Sequence, residues 1–469
     1  MVGIRTYRAE AKRTLVLAGP VVASMLAQNS MGFVDTVMVG RLGSLPLAAA
    51  ALGNNVFFFI LLVCMGIILA VEPLVAQAYG SGNHQAIERT VRQGLWLGVL
   101  LTIPAFLIVW NITPFLRATG QPDEVIVLTQ GYLRAVSFGY LPMLSFTALR
   151  SFVEGLARPL PVTVITFMAA GLNAVADYAF IHGEFGMPAL GVMGAGIATA
   201  MVQWFMFIAL GTFIRWDPVL RAYRIFEKLK RPDRSYLGEI FRVGWPVGVS
   251  HGLESGLFTV TALLIGSLST VALAAHQVAL QSAAFTFMVP LGIGVATSVR
   301  VGQAVGRGDG AAARRAGFVG IMLGLSFMTM TAVLFRTVPD MVVGLYLDLN
   351  DPSNMEVARL AAILLGVAGV FQVFDGIQVS AAGALRGLKD TRTPMLIGFV
   401  AYWVIGLSVG CLLGFGLGRG AEGLWWGLVV GLASAATMLT LRFRRLSSRI
   451  PARATNAVED LPLPAVAAE

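Results

Sequence analysis

Four carboxylates stand inside long apolar stretches of the 469-residue sequence: Asp35, Asp177, Glu254 and Asp375. Around Asp35, in SMGFVDTVMVGRLG, no basic residue is closer than Arg41. A carboxylate in a bilayer costs about 2.5–3.5 kcal/mol on insertion scales, and intramembrane acids usually mark ion or substrate pathways. Carboxylate oxygens suit a hard cation such as Na⁺, and paired carboxylates in low dielectric suit a shared proton. The residue types predict a site for one of these ions and do not choose between them.

Asp35 also has a structural interpretation, because it lies near the predicted outer end of its span. There it could reach the membrane interface or cap a neighbouring helix. Its polar company favours the ion site instead. LNAVADYAF places Asn173 and Asp177 four residues apart, on one helical face, and GAGIATA contributes Thr199. We interpret Asp35 as part of a cation or proton site in a cavity of the N-terminal half.

The elements that position these residues are transmembrane helices. The chain is 57% hydrophobic and only 13% charged, whereas a soluble domain carries about 25% charged residues. Cys64 and Cys411 lie far apart in apolar segments and do not support a disulfide framework. Twelve stretches have the length of about 20 residues that a spanning helix requires. They fall near 14–39, 47–79, 91–111, 130–150, 160–181, 190–214, 238–266, 275–303, 313–336, 356–385, 393–416 and 421–441.

The distribution of positive charge predicts the orientation. Of the 34 Lys and Arg residues, 28 fall on the side of the two termini and the 215–237 loop, and six on the other side. By the positive-inside rule, both termini are cytoplasmic in a bacterial inner membrane. The net charge of +9 then reflects topology and does not indicate nucleic-acid binding.

The two halves of the sequence repeat each other. Three pairs of segments match at one constant shift in numbering, called here the repeat offset, which takes position 18 to position 244. They are AGPVV (18–22) with GWPVG (244–248), 39–50 with 265–276, and AQAYGSGNHQAIER (76–89) with GQAVGRGDGAAARR (302–315). A fourth pair, 154–161 with 386–393, needs a slightly larger shift.

Repeats of this kind are typical of transporters. The predicted organisation is an N-terminal six-helix lobe (1–214), a cytoplasmic basic linker (215–237), a C-terminal six-helix lobe (238–446) and a disordered tail (447–469).

The acids do not follow the repeat. At the repeat offset Glu254 aligns with Gln28, and Asp35 aligns with Thr261. Asp375 aligns with Met143 at the larger shift of the fourth pair. The lobes are therefore duplicated in backbone but not in charge, as expected if each acquired its own titrating cluster.

Several motifs resemble the multidrug and toxic compound extrusion (MATE) family, in particular its NorM-like branch. They are FVDTVMVGRLGSLPLAAAALG, VAQAYGSGN, the pair Pro20 and Pro246, GLESGLF and FDGIQVSAAGALRGLKDTRTPM. Each motif is diffuse, but all occur in order between about residues 10 and 445. The resemblance implies an all-α polytopic membrane protein, with 12 transmembrane helices in two pseudo-symmetric six-helix bundles around a V-shaped cavity.

The resemblance also implies roles for individual residues. Positions matching Asp35, Asn173, Asp177 and Thr199 form a polar network in the N-lobe that takes up the coupling ion or a proton. Acids matching Glu254 and Asp375 are implicated in cation binding and drug export.

Three further residues have two interpretations each. His251, one turn before Glu254, is either its hydrogen-bond partner or a packing residue. Pro20 and Pro246 should kink the first helix of each lobe, and either bend it during transport or give it a static curve.

The predicted function is a secondary antiporter that exports small cationic amphipathic compounds in exchange for Na⁺ or H⁺. No Walker A sequence and no Cys/His metal spacing occurs in the sequence, so neither an enzyme nor an ATP-driven pump is indicated. We expect no cofactor beyond the coupling ion, a monomer in contact with lipid, and no nucleic-acid partner. The strongest alternative is a superfamily flippase for lipid-linked precursors, which would need a basic cavity. An intramembrane transferase would need paired acids of the D-D-x-x-D type, and a channel would need one continuous pore lining.

Overall fold

Helices form every regular element in the described part of the chain. The computed structural model describes residues 2–227, 229 and 232–451. Residues 452–469 of the predicted tail lie outside this part. The N-terminal half contains α1 (Val2–Gly40), α2 (Ser44–Ile68), α3 (Val71–Gly80), α4 (His84–Trp110), α5 (Thr113–Ala118), α6 (Asp123–Ser137), α7 (Tyr140–Gly155), α8 (Leu160–His182), α9 (Val192–Trp216) and α10 (Pro218–Arg221). The C-terminal half contains α11 (Arg234–Gly266), α12 (Thr270–Gly306), α13 (Gly310–Thr337), α14 (Pro339–Val343), a 3₁₀ turn (Pro352–Asn354), α15 (Met355–Gly387), α16 (Arg392–Gly398), α17 (Leu407–Cys411) and α18 (Gly420–Ser447).

Twelve spans make up the fold, and the fourth is divided between two short helices. Eleven helical stretches in the described residues are long and apolar enough to cross a membrane, with α2 and α3 forming one of them. The predicted span at 130–150 is instead shared by α6 and α7, which are separated by Phe138 and Gly139. A Cβ on Gly139 would lie 1.8 Å from Oε1 of Gln203 on α9. The prediction of a twelve-span, all-α membrane protein is confirmed, and the break lies where α9 packs against the chain.

The eleventh span is irregular. Between α16 and α17 the chain is π-helical over Phe399–Gly406, and it is π-helical again over Leu412–Gly416. Glycines let this span approach α18 closely, since a Cβ on Gly427 would lie 2.2 Å from the Gly410 Cα. π-Helical turns are rare and frequently occur at functional sites.

Buried apolar clusters lie in both halves, and the first of them also includes Ile240 and Val243 of α11. One apolar cluster runs from Val39 to Val243, and two others lie within the C-terminal half between Leu257 and Phe443. The connection between the halves is shorter than the predicted 215–237 linker, because α9 continues to Trp216 and α11 begins at Arg234.

The halves contact each other reciprocally through their first two spans. On one side α11 packs on α2, where a Cβ on Gly66 would lie 2.5 Å from the Gly248 Cα. On the other side α1 packs on α12, where a Cβ on Gly292 would lie 2.5 Å from Cγ2 of Val22. The repeat offset relates Val22 to Gly248 and Gly66 to Gly292. The sequence repeat is thus also a repeat of helix packing.

The turn after α3 is repeated after α12 in its backbone detail. Gly82 has φ +70° and Gly308 has φ +72°, a conformation that glycine adopts without steric cost. The next residue caps the following helix in both copies, since Asn83 accepts a hydrogen bond from the Ala86 N–H and Asp309 from the Ala312 N–H. In both copies the glycine forms the turn and the following Asn or Asp caps the next helix, which explains why the two residues occur together in the sequence.

Candidate functional site

An amide joins the two acids of the N-terminal lobe. Nδ2 of Asn173 donates hydrogen bonds to Oδ1 of Asp35 over 2.9 Å and to Oδ2 of Asp177 over 2.8 Å. The four-residue spacing on α8 turns Asn173 and Asp177 to one face, and the packing of α1 on α8 brings Asp35 to them. Three of the predicted residues are therefore in direct contact.

One carboxylate oxygen of this cluster is buried without a hydrogen-bond partner. Asp177 is completely buried, and its Oδ1 has no hydrogen-bond partner. Asp35 is half-buried, and its carboxyl group interacts directly with that of Asp177. Two neighbouring negative charges in an apolar lobe would repel each other, and a buried charge is costly unless it is paired. A proton or a small cation on the cluster would remove that cost.

Thr199 is connected to this cluster through Tyr132. Its Oγ1 donates to the Ala195 carbonyl oxygen of its own helix over 3.0 Å. Its side chain also interacts with Tyr132 on α6, and Tyr132 is close enough to Asp35 and Asp177 to interact with both electrostatically.

Tyr132 extends the cluster to α2, and sequence reasoning missed it. The tyrosine is buried, and its hydroxyl lies 3.5 Å from Oδ1 of Asn54. A Cβ on Gly53 would lie 2.6 Å from Cδ1 of the Tyr132 ring, so glycine makes room for the ring. One sequence signal was available, namely the polar pair Asn54 and Asn55 inside the apolar run LGNNVFFF.

The C-terminal lobe places its two predicted acids within electrostatic range of each other. Asp375 on α15 is buried, and its Oδ1 has no hydrogen-bond partner. Glu254 on α11 is half-buried and lies close enough to interact electrostatically with Asp375. Within the described residues, no hydrogen bond from an asparagine bridges these two acids.

Tyr402 and Gln378 complete this second cluster. Tyr402 is buried in the π-helical part of the eleventh span, lies close enough to both acids to interact with their charge, and interacts with the Gln378 side chain. Gln378 follows Asp375 by three residues on α15, and its Oε1 has no hydrogen-bond partner. Sequence reasoning missed both residues, although a glutamine one helical turn from a buried acid, in FDGIQVS, was a usable signal.

The remaining predicted residues lie outside these contacts. His251 is half-buried on α11, and among the hydrogen bonds of the described chain none joins it to Glu254. Neither Pro20 nor Pro246 ends its helix, since α1 and α11 are continuous through them. The carbonyl oxygen of Pro20 accepts a hydrogen bond from Oγ1 of Thr163 over 2.7 Å. The bending role of the prolines stays a prediction.

The chain matches a known family model twice. The model MatE covers residues 20–179 and 246–412. The first matched segment begins at Pro20 and the second at Pro246, two positions that the repeat offset relates. The family model therefore recognises the same duplication as the internal repeat.

Named relatives cover nearly the whole chain. A probable multidrug resistance protein NorM of Pseudomonas aeruginosa is 42% identical over 446 residues, which are 95% of this chain and 91% of the relative. A probable multidrug resistance protein NorM of Synechococcus sp. is 40% identical, over 95% of this chain and 96% of the relative.

Solved structures share the fold at low identity. A mutant of the Vibrio cholerae MATE transporter VcmN superimposes with a TM-score of 0.86 at 19% identity, over 94% of this chain and 98% of that one. The eukaryotic MATE transporter AtDTX14 superimposes with a TM-score of 0.83 at 22% identity, over 95% of this chain and all of the other.

Proposed function

The chain belongs to the MatE family of multidrug efflux transporters, and from this premise we propose that it is a secondary antiporter exchanging organic cations for Na⁺ or H⁺. It is an integral membrane protein and not an enzyme. The observation that carries the proposal is the contact of Asn173 with both the buried Asp177 and the half-buried Asp35, because a positive ion bound there would offset the cost of negative charge in an apolar lobe.

The N-terminal cluster offers a place for the coupling ion. Asp35, Asp177 and Asn173 present carboxylate and amide oxygens, and Thr199 and Tyr132 present hydroxyls nearby. Oxygen ligands fit Na⁺, and a proton shared by the two carboxyl groups would form a hydrogen bond between them. Among the described residues no three His, Cys, Asp or Glu side chains form a metal-type group.

Exchange follows from competition for the same negative charge. A positive ion arriving from outside neutralises a carboxylate and weakens its attraction for a cationic drug. The drug leaves, and the lobes then reopen toward the inside carrying only the small ion. Each charge that crosses 100 mV supplies about 2.3 kcal/mol. With both termini in the cytoplasm of a bacterial cell, as inferred from the positive-inside rule, the potential drives export when more positive charge enters than leaves. A one-for-one exchange of single charges is driven by the concentration gradient of the entering ion.

The charge of the clusters disfavours the flippase alternative. A carrier of lipid pyrophosphate needs basic side chains in its cavity. Here the unpaired charges of the two clusters are the acids Asp35, Asp177, Glu254 and Asp375, with neutral residues around them. A cationic substrate fits that polarity.

Dye transport under single-ion gradients tests the proposal. The protein is reconstituted in vesicles, and ethidium accumulation is followed under a Na⁺ gradient at equal pH and under a pH gradient at equal Na⁺. One gradient should drive dye movement, which identifies the coupling ion. Asp35→Asn should abolish the response, whereas the exposed Asp123→Asn should retain it. Dye movement under neither gradient in the wild-type protein would contradict the proposal.

A further inference from the structure

Two glutamines donate hydrogen bonds across the interface between the lobes, at equivalent positions of the repeat. Nε2 of Gln77 on α3 lies 2.8 Å from the carbonyl oxygen of Gly387, the last residue of α15. Nε2 of Gln303 on α12 lies 3.1 Å from the carbonyl oxygen of Gly155, the last residue of α7. The repeat offset relates the two glutamines, and the larger shift of the fourth sequence pair relates the two glycines. This is one interaction made twice, in opposite directions.

The acceptors are carbonyl groups that their own helices leave free. The last four carbonyls of an α-helix lack an intrahelical partner, and both glycines end a helix. After Gly155 the residue four positions on is Pro159, which has no N–H to donate. Gln303, only 3% exposed, supplies the missing donor from the other lobe. If the lobes separate, these groups must find water instead.

Glycines bring the two backbones into direct contact beside the hydrogen bonds. A Cβ on Gly80 would lie 2.2 Å from the Gln303 carbonyl oxygen, and a Cβ on Gly306 would lie 2.1 Å from the Gln77 carbonyl oxygen. Any larger residue would push α3 and α12 apart. The lobes therefore contact each other here through their backbones as well as through the two glutamine side chains.

One charged pair ties the same ends together without a symmetric copy. Glu10 on α1 accepts two hydrogen bonds from Arg300 on α12, over 2.9 and 3.0 Å. The repeat offset relates Glu10 to Tyr236 and Arg300 to Leu74, which cannot form an ion pair. Of the two interactions, only the glutamine contact follows the two-fold relation of the lobes.

We propose that Gln77 and Gln303 form a two-fold latch that holds the predicted cytoplasmic ends of the lobes together and opens when the transporter faces inward. The latch rests on the proposed transport function, because an antiporter must open at this end. It is remote from the N-terminal acids, since the stretch of α1 from Glu10 to Asp35 is about 38 Å of helix. The latch can therefore open while the hydrogen bonds of the N-terminal acid cluster stay intact.

Distances between spin labels measure the latch without relying on transport. Labels on Gln85→Cys and Ala311→Cys, two exposed positions that the repeat offset relates and that lie beyond the latch, report the separation of the lobes in lipid nanodiscs. The native Cys64 and Cys411 are replaced by Ala in this background. Gln77→Ala and Gln303→Ala should each raise the ratio of separated to closed molecules about fivefold, and the double variant about 30-fold, because each loses one hydrogen bond of ordinary net strength.

Control variants separate loss of the latch from general damage. Gln281→Ala removes an exposed glutamine of the same helix α12 and should leave the distances unchanged. Gly306→Ala should separate the lobes because its methyl group meets the Gln77 backbone, whereas Gly366→Ala, with no atom near its Cβ position, should not. The shape-matched double variant Gln77→Glu with Gln303→Glu should separate at high pH. It should close at low pH, where protonated carboxyl groups can donate to the same carbonyls, while the wild-type distances serve as the reference at each pH.

The outcomes distinguish the latch from the proposed function. Unchanged distances in the double Ala variant and in the double Glu variant at high pH would overturn the latch, even if vesicles made from the wild-type protein still exchange dye for an ion. A shift in distances with no ion-driven dye movement in the wild-type protein would support a latch between mobile lobes and reject the antiport proposal.

Discussion

The two lobes share their helix packing but not their acidic clusters. In the N-terminal lobe one asparagine donates to both acids, so Asp35 and Asp177 are joined through Asn173. In the C-terminal lobe Asp375 is buried beside Glu254, and the neutral neighbours of the pair are Tyr402 and Gln378. The first cluster is pre-assembled around an amide, whereas the second has no such bridge among the described residues.

This difference contrasts with the contacts that do repeat. Gly82 and Gly308 adopt the same left-handed turn, and Gln77 and Gln303 make the same inter-lobe bond. Backbone turns and helix contacts are shared because both lobes must fit one two-fold interface. A polar cluster inside a lobe is free of that constraint, so the acids could diverge. The comparison predicts unequal roles for the two clusters, with the N-terminal cluster the more important for coupling.

The largest effect is expected from Asp35→Asn. The change removes a charge from the bridged pair and should reduce ion-driven dye export by about a hundredfold or more, since hydrogen bonds to charged groups contribute up to about 3 kcal/mol. Export is measured in reconstituted vesicles, with insertion checked by the yield of folded protein. The exposed Asp123→Asn is the control. Normal export by Asp35→Asn would remove the N-terminal lobe from the coupling mechanism.

A smaller but clear loss is expected from the C-terminal acids. Asp375→Asn or Glu254→Gln should reduce coupled export by about tenfold, because each removes one of two interacting negative charges. The exposed Asp340→Asn on α14 serves as the control. If sodium or proton dependence is the same before and after either change, the C-terminal lobe has no ion site. A loss exceeding that of Asp35→Asn would reverse the proposed ranking of the lobes.

Removing the bridging amide tests the pre-assembly directly. Asn173→Ala should weaken ion-driven export about five- to tenfold, since the buried Asp177 and the half-buried Asp35 lose their shared donor at a cost of about 1 kcal/mol or more. The control is Asn111→Ala, because Asn111 is exposed and its side chain donates to a carbonyl of its own helix. The concentration of coupling ion needed for half-maximal export should rise in Asn173→Ala. An unchanged ion requirement would show that the amide does not hold the site together.

The smallest effect is expected from a single hydroxyl of the second cluster. Tyr402→Phe keeps the ring and removes the group that interacts with Gln378, so export should fall about two- to fivefold. Tyr346→Phe, at a 43% exposed position, is the matched control. The coupling-ion concentration needed for half-maximal export is measured for both variants. If it changes in Tyr402→Phe and not in Tyr346→Phe, Tyr402 belongs to the C-terminal site. Equal behaviour of the two variants would make it a packing residue.

Much of the fold could be predicted because hydropathy and repeats are local properties of a chain. Apolar length alone predicted twelve spans, and the constant repeat offset predicted two related halves. The i, i+4 spacing of Asn173 and Asp177 predicted that they share a helix face, which their 2.8 Å contact confirms. The break between α6 and α7 was not predicted; at this break the side chain of Gln203, which comes from α9, lies against Gly139.

By itself, then, the sequence determined which segments enter the membrane, that the halves are related, and that several acids must lie among apolar residues. Only the tertiary structure decided which distant residues come close. Asp35 is hydrogen-bonded to Asn173 and Gln77 to Gly387, and Tyr402 lies within electrostatic range of Asp375. The reason is physical. The cost of placing a residue in lipid depends on that residue and its near neighbours along the helix, whereas a hydrogen bond between helices depends on how their surfaces pack, which no single stretch of sequence contains.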